Sequence, residues 1–306
     1  MQQQTIERAV SCTGVGLHSG RRVSLRLNPA AEDTGVVFAV NTGAGARFLN
    51  LHPDTVQGTG LATTLGQGEV RVATVEHLMA AIRAMGIDNI LVEIDGGEVP
   101  IMDGSAASFV MLLRDAGVRQ QRKAPKVWAI KRRVSVEEEG RWIVGEPFPG
   151  FCVQYTIDFA HPLVGVQTRQ FHLAPEEFEG TVARARTFGF LHEVEKLKQH
   201  NLALGGSLDN AIVLDEYGVV NPEGLRFADE FVRHKILDFI GDMALLDGQL
   251  WGKFTVHCSG HALNNSFLRH IYENKDQCLE YRQAPAVVKD PAFEPELAGQ
   301  KSPVVV

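Results

Sequence analysis

The sequence predicts an α+β protein made of two similar halves, and three observations support this. The chain has 306 residues, enough for two domains that each bury a core. The polar stretch at 119–126 is typical of a linker. In each half, strand-like segments come before helix-like segments, an order that favours α+β layers over a βαβ array. We therefore expect one domain at 1–122, a second at 127–283 and a flexible, proline-containing tail at 284–306.

In the first half, a helix is expected from Thr74, a favourable N-cap residue, to about Met85, because Gly86 fits a helix stop. A second helix follows the segment 103–105 and covers 109–113. Apolar runs and apolar alternation predict strands at Val23–Leu27, Gly35–Val40 and Ile90–Ile94.

The second half repeats this order without clear sequence identity. One helix is expected at 229–246 and a last helix from Ala262 to about Glu280. Strands are predicted at 127–136, 151–157, 169–173 and 250–256.

Composition limits the kind of protein this is. Apolar residues make up 44% and charged residues 22%, which is ordinary for a globular chain, and the net charge of −7 disfavours a nucleic-acid binder. The four cysteines are scattered with no C-x-x-C pair, which fits a reducing compartment. The start of the chain lacks the apolar core of a signal peptide, and no run reaches the ~18 to 20 apolar residues of a membrane span. We expect a cytoplasmic protein with no transmembrane segment; the oligomeric state stays open, and a monomer is compatible with these features.

The chemistry lies in three groupings of histidines with polar or acidic residues, each beside a predicted helix: 74–78, 233–238 and 259–265. Together they offer two imidazoles and a carboxylate for a metal, a free carboxylate for a base and a spare histidine for an acid. Three protein ligands with an open position are typical of catalytic zinc. The sequence thus predicts a metal-dependent hydrolase.

Each signal is weak when taken singly. His234 and Asp238 lie one turn apart on a helix and Asp242 continues the stripe, a pattern that is also typical of a solvated helix face. Gly205 and Gly206 lack the lysine and spacing of a phosphate-binding loop, so we interpret them as close-packing positions. A metal-dependent lyase or dehydratase and a non-catalytic sugar-nucleotide or lipid-binding module remain as alternatives.

Six strings taken in order give a more specific resemblance. The chain resembles the UDP-3-O-acyl-N-acetylglucosamine deacetylases, zinc amidases that commit a sugar nucleotide to lipid A synthesis in Gram-negative bacteria, over about residues 5–280. This resemblance implies two α+β domains of similar topology with the metal site between them. The strings are Gly14–His18, Thr74–Leu78, Pro100–Ser105, Ala185–Phe190, Phe231–Lys235 with Asp238, and Ser259–Asn265.

The resemblance also implies a mechanism. His77, His234 and Asp238 would bind one zinc ion per chain, leaving a position for water. Glu76, which is next to a ligand but not itself one, would act as the general base on that water.

Three further residues would complete the chemistry. The imidazolium of His261 would protonate the departing amine, with Asp242 orienting it. The Thr187 hydroxyl would join the zinc ion in stabilising the oxyanion. Acetate and a free amine would result.

The same resemblance implies a substrate site for an acylated UDP-amino sugar. Lys235 would meet phosphate or sugar oxygens, Asp158 and Phe159 would contact uridine, and Phe188 would pack on the sugar. The segment 190–214 would form a passage for the acyl chain, although its apolar residues are equally typical of a core. The residues of this proposed passage are Leu191, Val194, Leu197, Leu202, Ala203, Gly206, Ile212 and Val213.

Overall fold

The computed structural model describes residues 1–42 and 45–283, and it confirms the α+β class. The predicted tail at 284–306 lies outside the described residues. Within the described part of the chain, no helix is both long and apolar enough to cross a membrane. The domain limits at 122 and 127 stay predictions.

The first half contains a five-stranded sheet covered by two helices. The elements are β1 Gln4–Ile6, β2 Val10–Val15, β3 Arg22–Pro29, β4 Val36–Asn41, β5 Ala46–Asn50, a 3-10 turn at Pro53–Thr55, β6 Val56–Gly58, β7 Thr64–Gln67, β8 Val70–Val72, α1 Glu76–Ala84, β9 Ile90–Asp95, α2 Ala107–Ala116 and β10 Val118–Gln120. The sheet has the order β2-β3-β9-β4-β5, with β9 parallel to β4 and the other neighbours antiparallel. The small strands pair as β1 with β10 and as β6-β7-β8.

The second half also has a mixed sheet, whose central strand is β18 (Gln249–His257). The remaining elements are β11 Lys126–Ile130, β12 Val134–Glu138, β13 Arg141–Glu146, β14 Phe151–Phe159, β15 Gly165–His172, α3 Pro175–Glu177, a π-helical turn at Phe178–Val182, β16 Phe188–Phe190, α4 Leu191–Gln199, β17 Ile212–Leu214, α5 Glu230–Met243, β18 Gln249–His257, α6 His261–Glu273, α7 Lys275–Cys278 and β19 Leu279–Gln283.

The two halves share one topology. In the second half the strands run β12-β13-β18-β14-β15, with β18 parallel to β14 and the other neighbours antiparallel. This order and these directions match those of the first sheet strand for strand. In each half the parallel pair is connected through a helix, α1 in the first and α5 in the second. The predicted similarity of the halves therefore extends to how their strands pair.

The helices α1 and α5 bring the halves together. They pack against each other, and buried residues of both halves, such as Leu78 and Ile236, belong to one continuous apolar core. Close approach depends on Gly241 of α5, because a Cβ atom there would lie 2.1 Å from the main-chain oxygen of Glu76. This contact places the first residue of α1 directly against the last turn of α5.

Several predicted boundaries were wrong. The last helix does not reach Glu280 but ends at Glu273, where the Asn274 side chain caps the His270 carbonyl, and β19 then pairs with β11. The predicted strand at 127–136 is two strands, β11 and β12. The predicted linker begins inside β10, which pairs with β1. For β10 and β19 the partners are the distant strands β1 and β11, and such long-range pairing leaves little trace in local periodicity.

Thr74 is not the N-cap of α1. Its φ is +58°, and its hydroxyl donates to the buried carboxylate of Glu98 instead of to the helix. The helix starts at Glu76, preceded by Val75 without a side-chain cap. The Thr74 hydroxyl, which local sequence predicted would cap the helix, is thus bonded to a side chain distant in the sequence.

Candidate metal and catalytic site

Two helices supply a compact group of three metal-ligating side chains. His77 comes from the first turn of α1, and His234 and Asp238 lie one turn apart on α5. Their ligand atoms all lie within 4.8 Å of one another, and all three residues are buried. Twelve of the fourteen residues of α5 are buried, so the predicted polar stripe is not a solvated face.

The arrangement brings the ligand atoms of the three side chains close together. The Asp238 Oδ1 atom is 3.2 Å from His234 Nε2 and 3.6 Å from His77 Nε2, yet it has no hydrogen-bond partner among the residues that the structure describes. His234 Nδ1 lies 3.1 Å from the main-chain oxygen of Ala185 and must donate to it, because a carbonyl only accepts. In a neutral ring this leaves Nε2 without a proton. A cation among these atoms would satisfy all of them, and two nitrogens with one carboxylate oxygen fit zinc.

The pKa values suit a ligand set. Burial lowers the pKa of His234 to about 3, despite the neighbouring Asp238 carboxylate, so the ring is neutral near pH 7. Burial would raise the pKa of Asp238, but His234 and Lys235 outweigh it and hold the pKa well below its usual range. Neutral imidazole and ionised carboxylate are the protonation states that metal ligation needs.

A second group of side chains lies beside the first. The Glu76 carboxylate accepts a hydrogen bond from the Thr63 backbone N–H at 3.0 Å, and its other oxygen lies 3.8 Å from His261 Nε2. His261 Nδ1 is 2.8 Å from the Asp242 carboxylate. A carboxylate and an imidazole thus face each other across the centre of the site.

The pKa values of Glu76 and His261 are both raised, in directions that suit a base and an acid. Burial raises the pKa of Glu76 above its ordinary value, which makes the carboxylate a stronger proton acceptor. Burial alone would lower the pKa of His261, but the Asp242 carboxylate outweighs it and raises the pKa to about 10. The site thus places a buried carboxyl group with a raised pKa next to an imidazole that is protonated at neutral pH.

The sequence prediction missed Thr63, whose hydroxyl contacts both His261 and Asp242. Its hydroxyl donates to Asp242 at 2.6 Å and lies 3.2 Å from His261 Nδ1. Nothing in the local sequence marks this threonine, because its partners lie far away in the chain. Asn264 was given no role either, although it lies within the segment Ser259–Asn265 that carries the family resemblance. Its side-chain amide donates to Asp242 at 2.8 Å.

Two of the predicted substrate-binding residues lie next to the metal-ligating group. Lys235 Nζ donates to Asp238 Oδ2 at 2.9 Å and sits 5.6 Å from the centroid of the Phe188 ring. The same ring is 6.3 Å from that of His234. The structure therefore brings Lys235 and Phe188 together at the edge of the site.

The other residues predicted to act on the substrate make fewer contacts with the metal-ligating group. Phe159 meets the Phe188 ring at 5.6 Å, and Asp158, the preceding residue in β14, is exposed. Thr187 is half-buried between Arg186 and Phe188, and its backbone N–H donates to Gly104. Within the described residues its hydroxyl makes no hydrogen bond.

The segment 190–214 divides into an exposed part and a buried part. No residue of α4 is buried, and Leu191 is 39% exposed. Ala203 is buried with a φ of +52°, and its carbonyl accepts from Gly206. The strand residues Ile212 and Val213 are buried, as a core would require. Val194, Leu197 and Leu202 are half-buried.

The two glycines of this segment differ. At Gly205 a Cβ atom would lie 2.3 Å from the main-chain oxygen of Gly16, so this glycine permits close packing of two loops. At Gly206 the nearest atom would be the Ala203 oxygen at 3.2 Å, which leaves more room.

Comparison with known proteins gives a consistent result. Residues 3–273 match the family described as UDP-3-O-acyl N-acetylglycosamine deacetylase. A protein of Nitratidesulfovibrio vulgaris is 59% identical over 292 residues, covering 95% of this chain and 94% of its own. Relatives from Thioalkalivibrio sulfidiphilus, 49% identical over 92% of this chain and 94% of theirs, and Haemophilus influenzae, 46% identical over 94% and 99%, are also similar. All three relatives carry the name UDP-3-O-acyl-N-acetylglucosamine deacetylase.

Proposed function

The chain belongs to the UDP-3-O-acyl N-acetylglycosamine deacetylase family, and from this premise we propose how its residues carry out the reaction. The enzyme hydrolyses the acetamide of UDP-3-O-acyl-N-acetylglucosamine, a step of lipid A biosynthesis. Water adds to the acetyl carbonyl carbon, the C–N bond breaks, and acetate and a free amine leave.

The observation that carries the assignment of residues is the convergence of five buried or nearly buried groups from both halves. His77, His234 and Asp238 would hold one zinc ion, while Glu76 and His261 face each other beside it. When bound, such an ion polarises a carbonyl oxygen and lowers the pKa of water. The unsatisfied Asp238 Oδ1 supports occupation of this position by a cation.

Glu76 takes the proton from the attacking water. The hydrogen bond from the Thr63 backbone N–H holds one carboxylate oxygen, leaving the other toward the centre of the site. Burial raises the pKa of Glu76, and this increases its affinity for the proton that it takes from water.

His261 gives a proton to the leaving amine. Asp242 accepts from Nδ1 and so directs Nε2, which carries the transferable proton, toward the reaction centre. The pKa of about 10 keeps the ring protonated before the C–N bond breaks. Expulsion of an amine needs this proton because an amide anion is a very poor leaving group.

Five residues would bind and orient the substrate. The Thr187 hydroxyl, which makes no bond among the described residues, is free to donate to the oxyanion. Lys235 would contact phosphate or sugar oxygens and Phe188 would pack on the sugar ring. Asp158 and Phe159 would hold the uridine, since one is an exposed carboxylate and the other an aromatic surface beside Phe188.

The segment 190–214 would accommodate the acyl chain. The half-exposed apolar side chains of Leu191 and Val194, with the small residues Ala203 and Gly206, support a passage of this kind. The buried Ile212 and Val213 are better described as core that supports it.

We also propose that the enzyme works in the cytoplasm. All four cysteines, Cys12, Cys152, Cys258 and Cys278, are free, which fits a reducing compartment.

The test is acetate release from the acylated sugar nucleotide, followed by mass spectrometry. Zinc-loaded protein should convert the substrate, and Glu76→Gln and His261→Ala should lose turnover by about 100-fold or more while keeping their metal. His270→Ala, an exposed histidine on the same helix, is the control and should retain activity. Near-normal turnover in either variant would refute that residue's role, and a lyase or a non-catalytic binding module would release no acetate at all.

A further inference from the structure

We propose that Arg186 and Glu230 are positioning residues for the metal centre: together they hold one peptide group whose carbonyl orients His234. This inference rests on the proposed ligand set of His77, His234 and Asp238. It assigns a purpose to a buried ion pair that takes no part in the chemistry described above.

The pair is completely enclosed. Arg186 is 1% exposed and Glu230, the first residue of α5, is 0% exposed. The guanidinium donates Nε to Glu230 Oε1 at 2.9 Å and Nη2 to Oε2 at 3.3 Å. Its outer nitrogens also donate to Glu223 at 2.6 Å and to the Gly224 carbonyl at 2.7 Å. Each nitrogen of the guanidinium group therefore has a hydrogen-bond acceptor, and these bonds hold the ion pair in a single orientation.

The peptide group between Ala185 and Arg186 is held at both ends by α5. Its N–H donates to Glu230 Oε1 at 3.0 Å, and its C=O accepts from His234 Nδ1 at 3.1 Å. Glu230 and His234 are four residues apart, so they stand one above the other on the same helix face. The peptide plane thus spans one turn of α5, between a carboxylate and a metal-ligating imidazole.

This arrangement determines which nitrogen of His234 is available. Because the Ala185 carbonyl can only accept, it requires the proton on Nδ1 and leaves the Nε2 lone pair toward Asp238. If the peptide group tilted, the ring could rotate or adopt the other tautomer, and a ligand atom would be lost. Glu230 prevents the tilt by fixing the N–H end of the same plane.

All four acceptor positions of the Glu230 carboxylate are in use. Oε1 accepts from Arg186 N and Nε, and Oε2 accepts from Arg186 Nη2 and from the Arg226 backbone N–H at 2.5 Å. An amide in place of the carboxylate would set its NH₂ group against two of these donors. Glu230→Gln therefore disturbs the hydrogen bonds that fix the Ala185–Arg186 peptide group, with almost no change in side-chain volume.

The experiment measures the Zn²⁺ affinity of metal-free protein by competition with a chelating dye, and the Co²⁺ absorption spectrum as a report on ligand geometry. Glu230→Gln should weaken Zn²⁺ binding by about 10- to 100-fold, the range for groups that orient a ligand, and should change the Co²⁺ spectrum. Glu223→Gln is the matched control, because Glu223 touches the same guanidinium but not the peptide group. It should keep both the affinity and the spectrum of the wild type.

Urea unfolding of each metal-free variant separates positioning from stability. If Glu230→Gln lowers only the unfolding free energy, and the folded protein keeps wild-type affinity and spectrum, the inference is overturned. If that variant does not fold, Arg186→Lys, which keeps the charge but loses the forked donors, should show a smaller loss of affinity; unchanged affinity there overturns the inference as well. Failure of the wild type to bind Zn²⁺ would refute the proposed ligand set itself, a different result from equal binding by wild type and variants.

Discussion

Replacement of Gly241 by alanine tests how the two halves form the site. A Cβ atom at this position would lie 2.1 Å from the Glu76 main-chain oxygen, 2.7 Å from its carbonyl carbon and 2.9 Å from its Cα. All three are backbone atoms at the start of α1, so no side chain can move aside. To restore ordinary contact, α1 and α5 must separate by roughly 1 Å, because carbon and oxygen atoms touch at about 3.3 Å or more.

Two effects oppose each other in this variant. Alanine favours a helix interior over glycine by ~1 kcal/mol. Overpacking in a close-packed core costs ~1–3 kcal/mol, and contact with rigid backbone favours the upper end. We expect a net loss of about 2 kcal/mol in the free energy of unfolding. Activity should fall further, since a shift of about 1 Å in a catalytic group can cost ~100-fold.

Urea unfolding and kcat/KM measured on the same preparations decide the matter. Gly180→Ala is the control, because Gly180 lies in the π-helical turn and a Cβ there meets nothing within 4 Å. The control should be neutral or slightly stabilised. If Gly241→Ala were as stable and as active as the control, the close approach of α1 and α5 would not be what positions Glu76.

Substitutions at four other residues, together with the pH profile of the wild type, test the site further. Asp238→Ala should lower Zn²⁺ affinity at least about 100-fold, since changes to groups that merely orient ligands already cost 10- to 100-fold; unchanged metal content by mass spectrometry would remove Asp238 from the ligand set. The dependence of kcat/KM on pH should be bell-shaped, with an alkaline limb governed by His261, whose raised pKa keeps its proton until the pH approaches about 10. Asp242→Asn removes the carboxylate that raises this pKa, so the alkaline limb should move to lower pH, and a limb that does not move would contradict the pairing. Thr63→Val keeps the backbone N–H to Glu76 but loses the hydroxyl bond to Asp242; kcat should fall about tenfold, as for loss of ~1.4 kcal/mol, and Thr63→Ser should restore it. Gly206→Leu should harm a long-chain substrate far more than one without the acyl group, because each buried methylene contributes ~0.8 kcal/mol; equal damage to both with a lower melting temperature would count against the passage.

The sequence was sufficient where the determinants are local. The spacing of His234, Asp238 and Asp242 places three polar groups on one helix face whatever the helix packs against. The four longest helices other than α4 and several strands of the two larger sheets were also predictable, because apolar periodicity reports directly which face of an element is buried. The order of strands and helices suggested two similar halves.

Only the tertiary structure decided how those halves combine. The matching strand orders became visible through pairing, and the two parallel pairs place α1 and α5 at equivalent positions in the two sheets. Thr74 was assigned to a cap and proved to be a partner of Glu98. The helix predicted to reach Glu280 ends earlier, and residues 279–283 instead form β19, which pairs with β11.

The contacts that local spacing could not reveal are those between residues far apart in the chain. Thr63 and Asp242 are 179 residues apart, and Arg186 and Glu230 are 44 apart, so neither pair leaves a periodic signal. Gly241 is unfavourable in a helix by propensity alone, and only the contact with the Glu76 backbone explains why a glycine is needed there. Local spacing determined which chemical groups this chain presents. Packing of α1 on α5 decided which of them meet, because the distance between two helices depends on every side chain between them.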